Sequence, residues 1–335
     1  MRSRHILTVI AFGLLAASQA AAANPAIAWR TTDWDGAERT YGVYVPAERL
    51  NPAPVVFLLH GGGGSARTTW QQEHGRSWRA LADENGFVLV LPEGRPDPDS
   101  PDAHHWNDCR TGHANEATAT NEDDVGFLCR LIDTVEDTVA VDRSRVYATG
   151  ASNGGMMCYR LAIEAGDRFA AVAALIANLP DPSECAGTPP PIPIMIMNGT
   201  EDPLMPFLGG CVATDRCDRG RVMSTAETVA FWVGVNRAST EPIVERLPNR
   251  AWFDGSRVTV YTYRGERGGA DVVYYEVTGG GHAVPGFETP SPLRRALAGS
   301  KNRDIDGPTE IWSFFRSCAR DAFAPTARRE TVCDG

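Results

Sequence analysis

The segment of this chain with the plainest chemical meaning is Gly150-Ala151-Ser152-Asn153-Gly154. A G-x-S-x-G pattern lets the backbone turn sharply between a strand and a helix. The turn lifts the serine hydroxyl clear of a sheet, and the helix N-terminus behind it favours negative charge. Arg145 to Thr149 reads as that strand and the run from Gly155 to Ala165 as that helix, which weighs against an ordinary turn of small residues. A serine hydroxyl is a weak nucleophile near neutral pH, so it needs a base within reach and an acid to orient the base. On a sheet of this kind the partners follow in the order serine, acid, histidine. Of seven histidines six precede Ser152; only His282, in Gly279-Gly280-Gly281-His282, follows it. Asp202 is expected to be the acid, because it follows the apolar run Ile192 to Met197 through the turn Asn198-Gly199-Thr200. Asp181, Asp271 and Glu201 are the alternatives.

A tetrahedral intermediate needs backbone N–H donors around its oxyanion. His60-Gly61-Gly62-Gly63-Gly64 ends another apolar run, and Gly62 is the expected first donor, with Gly61 and Gly63 as alternatives; Asn153, next to the serine, is the expected second. No G-K-[ST] follows these glycines, so they do not read as a phosphate cradle. Asp123 and Asp124 open a helical stretch and read as capping carboxylates rather than catalytic ones. The cysteines show no C-x-x-C spacing and the histidines are scattered, so neither a metal nor a cofactor is expected.

These residues need strand ends to hold them. Eight strands are expected, at Glu38 to Val45, Pro54 to His60, Phe87 to Pro92, Arg145 to Thr149, Val172 to Ile176, Ile192 to Asn198, Arg257 to Tyr263 and Val272 to Val277. Helical stretches lie between several of them, at Trp70 to Glu84, Asp123 to Val139, Gly155 to Ala165 and Ser224 to Val235, and Pro308 to Cys318 closes the series. Alternating strands and helices imply a mostly parallel sheet covered on both faces. Together with the serine motif they make the expected class α/β, with an α/β-hydrolase fold. Two connections, Gly94 to Glu122 and Pro203 to Met223, are long and irregular, as functional loops often are.

Arg2 and Arg4 precede an uncharged apolar run from Ile6 to Ala17 and a group of small residues, so residues 1–23 read as a secretory signal. The run is shorter than the roughly 18 to 20 residues a membrane span requires. One catalytic domain over 24–320 and a tail over 321–335 are expected, in a secreted or periplasmic protein. With 32 basic and 42 acidic residues the net charge is −10, which disfavours nucleic acid and anionic membrane surfaces as partners. The expected partner is a small or oligomeric ester; the oligomeric state is left open. Eight cysteines beyond such a signal are expected to form disulfides, most or all of them. Cys211 with Cys217 would close a small loop, and Cys318 with Cys333 would pin the tail.

With these motifs on the page, the chain resembles the extracellular polyhydroxybutyrate depolymerase-like and feruloyl esterase-like serine esterases. The resemblance rests on Leu59-His60-Gly61-Gly62-Gly63, Trp106-Asn107, Asp123-Asp124-Val125-Gly126-Phe127, Gly150 to Gly155, Asn198-Gly199-Thr200-Glu201-Asp202 with Pro206, and Gly281-His282. They fall in the family's order over most of the chain. The resemblance implies that Ser152, Asp202 and His282 form the triad and that Gly62 occupies the oxyanion position, where depolymerases often carry Cys. It also implies that Trp106 faces substrate, where a loop tryptophan reads equally as a packing residue, and that His104 and His105, more simply read as a solvated loop, line the same rim. Two departures bear on the substrate: Val284 stands where the family commonly has an aromatic, and the loop with Cys211 and Cys217 looks like an insertion.

The expected activity is therefore carboxylic ester hydrolysis, on feruloyl or acetyl esters of plant polysaccharide fragments or on short polyhydroxyalkanoate esters. Soluble esters are expected to be better substrates than crystalline polymer, because only a short tail follows the last helix. The alternatives are a depolymerase acting on polymer, a serine peptidase of the same fold, and a non-catalytic binding protein. The peptidases carry a large additional domain, and binding proteins of this fold typically lose a triad member.

Overall fold

The apolar run from Pro54 to His60 forms the strand Ala53–Leu59, whose seven residues are buried end to end. Val55, Phe57 and Leu59 enter one hydrophobic core, and Val56 and Leu58 enter a second on the opposite face of the sheet. This is the period-two alternation of a strand covered on both sides. The computed structural model describes residues 26–112, 115–213 and 216–320. The expected signal segment and Cys333 lie outside them.

In chain order the described strands are β1 (Ala28–Trp34), β2 (Ala37–Tyr44), β3 (Ala53–Leu59), β4 (Val88–Pro92), β5 (Arg95–Asp97), β6 (Ser100–His105), β7 (Val141–Ala151), β8 (Ala171–Leu175), β9 (Ile194–Gly199), β10 (Gly210–Cys211), β11 (Arg221–Val222), β12 (Ile243–Arg246), β13 (Arg257–Tyr263) and β14 (Val272–Thr278). The helices are α1 (Ala66–Gln71), α2 (Glu73–Asn85), α3 (Glu116–Ala119), α4 (Asp124–Glu136), α5 (Asn153–Glu164), α6 (Thr225–Val235), α7 (Pro292–Ala298) and α8 (Gly307–Phe315). Ten strands make the main sheet, in the order β1-β2-β4-β3-β7-β8-β9-β14-β13-β12. From β4 to β14 neighbouring strands run parallel, and antiparallel pairs extend both edges.

All eight expected strands are present, and the sheet gains two more, β1 and β12, at its edges. Neither carries a buried apolar stripe: β12 is exposed along its length and β1 has no fully buried residue. An edge strand pairs through its backbone, so its sequence need not show a core-facing period. The connection from Gly94 to Glu122 is also more ordered than expected, since it holds the β5–β6 hairpin and α3.

Helices α4, α5 and α6 contribute Phe127, Met156 and Trp232 to one core. On the other face α2 and α8 bring Trp78, Trp312 and Phe315 against Phe87 and Tyr147, with Tyr147 stacked on Phe315 at 4.7 Å. With both faces filled, loops at the carboxyl ends of the parallel strands are free to carry side chains for chemistry.

Two disulfides join described residues, Cys109–Cys185 and Cys211–Cys217, with Cα separations of 5.1 and 4.6 Å. Cys129, Cys158 and Cys318 have no disulfide partner among the described residues, and Cys333, the expected partner of Cys318, lies outside them. Cys158 is buried and Cys129 half-buried, and burial raises both thiol pKa values. Cys109 and Cys185 are 76 positions apart, against 6 for the other pair. In the chain-entropy account the long loop contributes about 4 kcal/mol and the short one roughly 2 kcal/mol. Denaturant unfolding should therefore show the larger drop in midpoint for Cys109→Ser paired with Cys185→Ser than for Cys211→Ser paired with Cys217→Ser.

Candidate active site

Ser152 follows β7 and precedes α5 with φ 56° and ψ −121°. Positive φ at a serine carries a strain of about 1 to 3 kcal/mol, a cost that surrounding structure has to hold in place. Here the Ser152 N–H donates to Leu175 O at 2.8 Å. The same conformation turns the side chain away from the helix it opens, for Ser152 makes no capping bond. The motif glycines are forced by close approach. A Cβ on Gly150 would stand 2.5 Å from Gly154 O, and one on Gly154 would stand 2.4 Å from His60 O.

The glycine loop after β3 is held from outside. Gly63 N–H donates to His104 O and His104 N–H to Gly64 O, both at 3.0 Å, while Gly64 N–H turns back to Gly61 O at 3.0 Å. Those bonds occupy the Gly63 and Gly64 amides. Among the described residues the Gly62 amide has no backbone partner. Beneath the loop, His60 Nε2 accepts from Gly94 N–H at 2.9 Å, so its proton sits on Nδ1, which faces Gly61 O at 2.9 Å. Burial pushes the His60 pKa down to about 3 and keeps the ring neutral. Glu93 stands 3.3 Å from the proton-free His60 Nε2, and burial raises its carboxyl to about 7.

Trp106 is turned inward and is not among the residues lining the Ser152 cavity. It is fully buried, its Nε1–H donates to His60 O at 3.0 Å, and its ring lies 4.9 Å from the His60 ring. An indole is the largest apolar side chain with one donor, and here both properties are used internally to brace the glycine loop. The Asn153 side chain makes the matching connection to the serine turn. Its Oδ1 accepts from Trp106 N–H at 2.8 Å, and its Nδ2 donates to Trp106 O at 3.0 Å and to Asp108 at 2.6 Å. Asn153 N–H belongs to the first turn of α5, where amides lack helical partners.

The capping carboxylates have separate tasks. Asp123 caps α4 through Gly126 N–H at 2.9 Å. Asp124 is instead buried, accepting from Arg39 at 2.6 Å and from Asn107 N–H at 2.8 Å. His104 and His105 are half-buried rather than solvated, and the hairpin that carries them forms one wall of the site.

Acid and histidine arise on neighbouring parallel strands, β9 and β14. Their loops are laced together: Thr200 N–H donates to Val277 O, Gly279 N–H to Thr200 Oγ1, and Glu201 N–H to Gly280 O, all between 2.9 and 3.0 Å. His282 Nδ1 lies 2.7 Å from Asp202 Oδ2, and Asp202 Oδ1 accepts from Leu204 N–H at 2.8 Å and Met205 N–H at 2.7 Å. The Asp202 side chain is 2% exposed. A carboxylate so bound fixes the proton of its histidine on Nδ1 and leaves Nε2 as an acceptor. Val284, two residues on, packs against the second core rather than in the cleft.

Ser152, Asn153 and Gly62 line one cavity of about 520 Å³ together with Met205, whose amide Asp202 holds. The acid turn thus forms part of the serine's own cavity. Sequence reasoning brings out Ser152, Gly62, Asn153, Asp202 and His282 by spacing and order. It names His60 only as part of the glycine motif and misses its bracing role, and it misses Glu93, Asp108 and Arg110, since a buried brace bears no motif of its own.

Two of the His residues set a pH dependence of stability. His60 and His74 are buried, with pKa values lowered from 6.5 to about 3 and about 4. The unfolded chain takes up both protons below pH 6.5 while the folded chain does not, so the stability they contribute is lost as pH falls from 6.5 toward 4. Glu93 acts with the opposite sign, since its raised pKa favours the fold below 4.5 and that contribution is lost as pH rises through about 7. Denaturation midpoints measured from pH 7 to pH 4 should fall, and less steeply in His74→Asn. Equal slopes would contradict a neutral buried His74.

Residues 35–242 match the esterase family. The chain belongs to that family. It is a carboxylic ester hydrolase with an α/β-hydrolase fold. A protein named "Putative esterase NocK", from Nocardia uniformis subsp. tsuyamanensis, is 32% identical over 260 residues, covering 75% of this esterase and 71% of that chain. Feruloyl esterase D from Neurospora crassa is 27% identical over 296 residues, covering 85% and 84%. Among solved structures, an acetyl xylan esterase from Aspergillus awamori aligns with a TM-score of 0.54 and 15% identity, over 86% of this esterase and 98% of that chain. At that identity the likeness is one of fold.

Proposed function

We propose that this esterase works through an acyl-enzyme on Ser152, with His282 as general base and Asp202 orienting it. The observation that carries the reading is the 2.7 Å contact of His282 Nδ1 with Asp202, whose other carboxylate oxygen is held by two backbone amides. His282 Nε2 takes the Ser152 proton as Oγ attacks the ester carbonyl. The negative charge that forms on the carbonyl oxygen is met by the Gly62 and Asn153 amides. The C–O bond to the alcohol then breaks, His282 returns the proton to the alcohol, and water repeats the sequence on the acyl-serine.

The substrates are feruloyl or acetyl esters of plant polysaccharide fragments, with short hydroxyalkanoate esters as the second class. The feruloyl part of the first class is favoured by the named activity of the Neurospora protein. Export to an oxidising compartment is supported by the N-terminal apolar run and the two disulfides. The test is a fluorophosphonate probe followed by peptide mapping, alongside turnover of methyl ferulate, acetylated xylo-oligosaccharide and a hydroxybutyrate trimer. Labelling is expected at Ser152 alone. Labelling at another serine, or failure to hydrolyse any of the three, would refute this reading.

A further inference from the structure

The Gly62 N–H shares one peptide unit with the Gly61 carbonyl. A trans peptide is planar, so whatever fixes Gly61 O also fixes the direction of the Gly62 N–H, which points the opposite way. Within the loop Gly61 O accepts from Gly64 N–H at 3.0 Å, and from outside the loop it is faced by His60 Nδ1 at 2.9 Å. That second contact is a hydrogen bond only while the imidazole proton sits on Nδ1. On the far side of the ring, Nε2 accepts from Gly94 N–H at 2.9 Å, which favours this tautomer.

Glu93 bears directly on that choice. It follows β4, and its side chain is 9% exposed. One oxygen, Oε1, accepts from Ala66 N–H at 2.7 Å and lies 3.3 Å from His60 Nε2 and 3.7 Å from His104 Nδ1. A carboxylate so close to the lone pair of a neutral imidazole draws the ring proton round to Nε2, whereas a neutral acid does not. The cations around Glu93 are bound elsewhere. Arg39, from β2, binds Glu122 and Asp124 and donates to Glu93 only at its backbone carbonyl, at 3.1 Å. Arg67, on α1, lies over the Trp29 ring at 4.3 Å. His104 and His105, on the β5–β6 hairpin, have pKa values lowered by burial. Burial raises the Glu93 carboxyl to about 7, against the Ala66 amide and the two arginines, which pull it down.

We infer that Glu93 is a positioning residue for ester hydrolysis: as a neutral acid it leaves the His60 proton on Nδ1, and so holds the Gly61–Gly62 peptide with its N–H toward the oxyanion. The inference rests on the proposed role of the Gly62 amide. When Glu93 gives its proton to solvent, the carboxylate draws the imidazole proton to Nε2, and Gly61 O loses its donor from outside the loop. No proton passes to Ser152 or His282. An oxyanion asks more of the Gly62 amide than the ground-state carbonyl does, so the loss belongs in kcat rather than in KM.

The test is kcat and KM for p-nitrophenyl acetate from pH 6 to pH 9, corrected for spontaneous hydrolysis. In the wild type kcat is expected to fall about tenfold or more between pH 6 and pH 9, with KM unchanged within about twofold. Glu93→Gln is neutral at every pH and keeps an oxygen for the Ala66 amide. It is expected to hold kcat within about threefold of the wild-type value at pH 6, and to keep it there up to pH 9. His60→Asn puts an amide donor in place of Nδ1 whose donation does not depend on Glu93, and it too is expected to lose the alkaline decline. Thermal unfolding identifies which variants fold, and either one alone carries the test. A wild-type kcat that stays level to pH 9, a decline carried by KM, or a decline of wild-type size in a folded variant overturns the inference. None of these touches the labelling of Ser152 by a fluorophosphonate, on which the triad reading stands. A wild-type protein inert toward the ester and unlabelled at Ser152 overturns the triad reading and this inference with it.

Discussion

Ser152→Ala is expected to lower kcat for a soluble ester by about 10⁵-fold or more, with little change in unfolding midpoint. The substitution deletes the proposed attacking oxygen and nothing else that the fold uses, because the Ser152 hydroxyl makes no capping bond in the turn. What remains is a cavity with the Gly62 and Asn153 amides, the proposed oxyanion donors. Such a remnant gives residual rates of roughly 10³ to 10⁴ over water and forms no acyl-enzyme. Burst kinetics with p-nitrophenyl acetate read the outcome directly. Persistence of a burst in Ser152→Ala would remove this serine from the mechanism.

The second large effect is expected at Asp202, and its direction follows from how the carboxylate is bound. Oδ1 holds the Leu204 and Met205 amides, and Oδ2 faces His282 Nδ1. In Asp202→Asn the amide oxygen is required by the two N–H groups, so the NH₂ must turn toward His282. An NH₂ donates, and His282 Nδ1 can accept only by moving its proton to Nε2. The imidazole would then present a donor to Ser152 where a base is needed. The expected loss in kcat is about 10³- to 10⁴-fold near neutral pH, with the turn preserved. Thermal unfolding and kcat/KM measured on the same preparation decide it. A loss smaller than tenfold with a native-like melt would mean that another carboxylate orients the base.

The site was legible in the sequence to the extent that chemistry demanded both residue type and order. One serine motif sits between strand and helix, one histidine lies downstream, and one aspartate follows a buried strand. The parallel strands were legible for a similar reason, since burial on both faces demands unbroken apolar runs such as Ala53–Leu59. Edge strands such as β12 left no such trace, because backbone pairing asks little of the side chains. Trp106 shows the same limit within the site. A tryptophan in a long polar loop has the same one-letter appearance whether it meets substrate or closes over a histidine carbonyl. Only the partner of its Nε1 distinguishes the two, and that partner, His60, is 46 positions away.

The segment between Asp202 and α6 is anchored independently at its two ends. At one end the acid itself clamps the first amides of the loop, and at the other a capping box of Ser224 and Glu227 starts the helix. Both anchors are local, so neither depends on how many residues lie between them. The Cys211–Cys217 disulfide ties off a small unit inside that interval. The interval is also tied to the loop after β8, by Met223 N–H to Leu179 O and Asp181 N–H to Arg221 O, so its free variation is confined to the part ahead of Arg221. Lengthening, shortening or exchanging it would remodel the cavity wall at Val212, Asp218 and Arg219 without moving the acid. Selection for a new ester could act on this interval while the strand ends that carry the chemistry stay fixed.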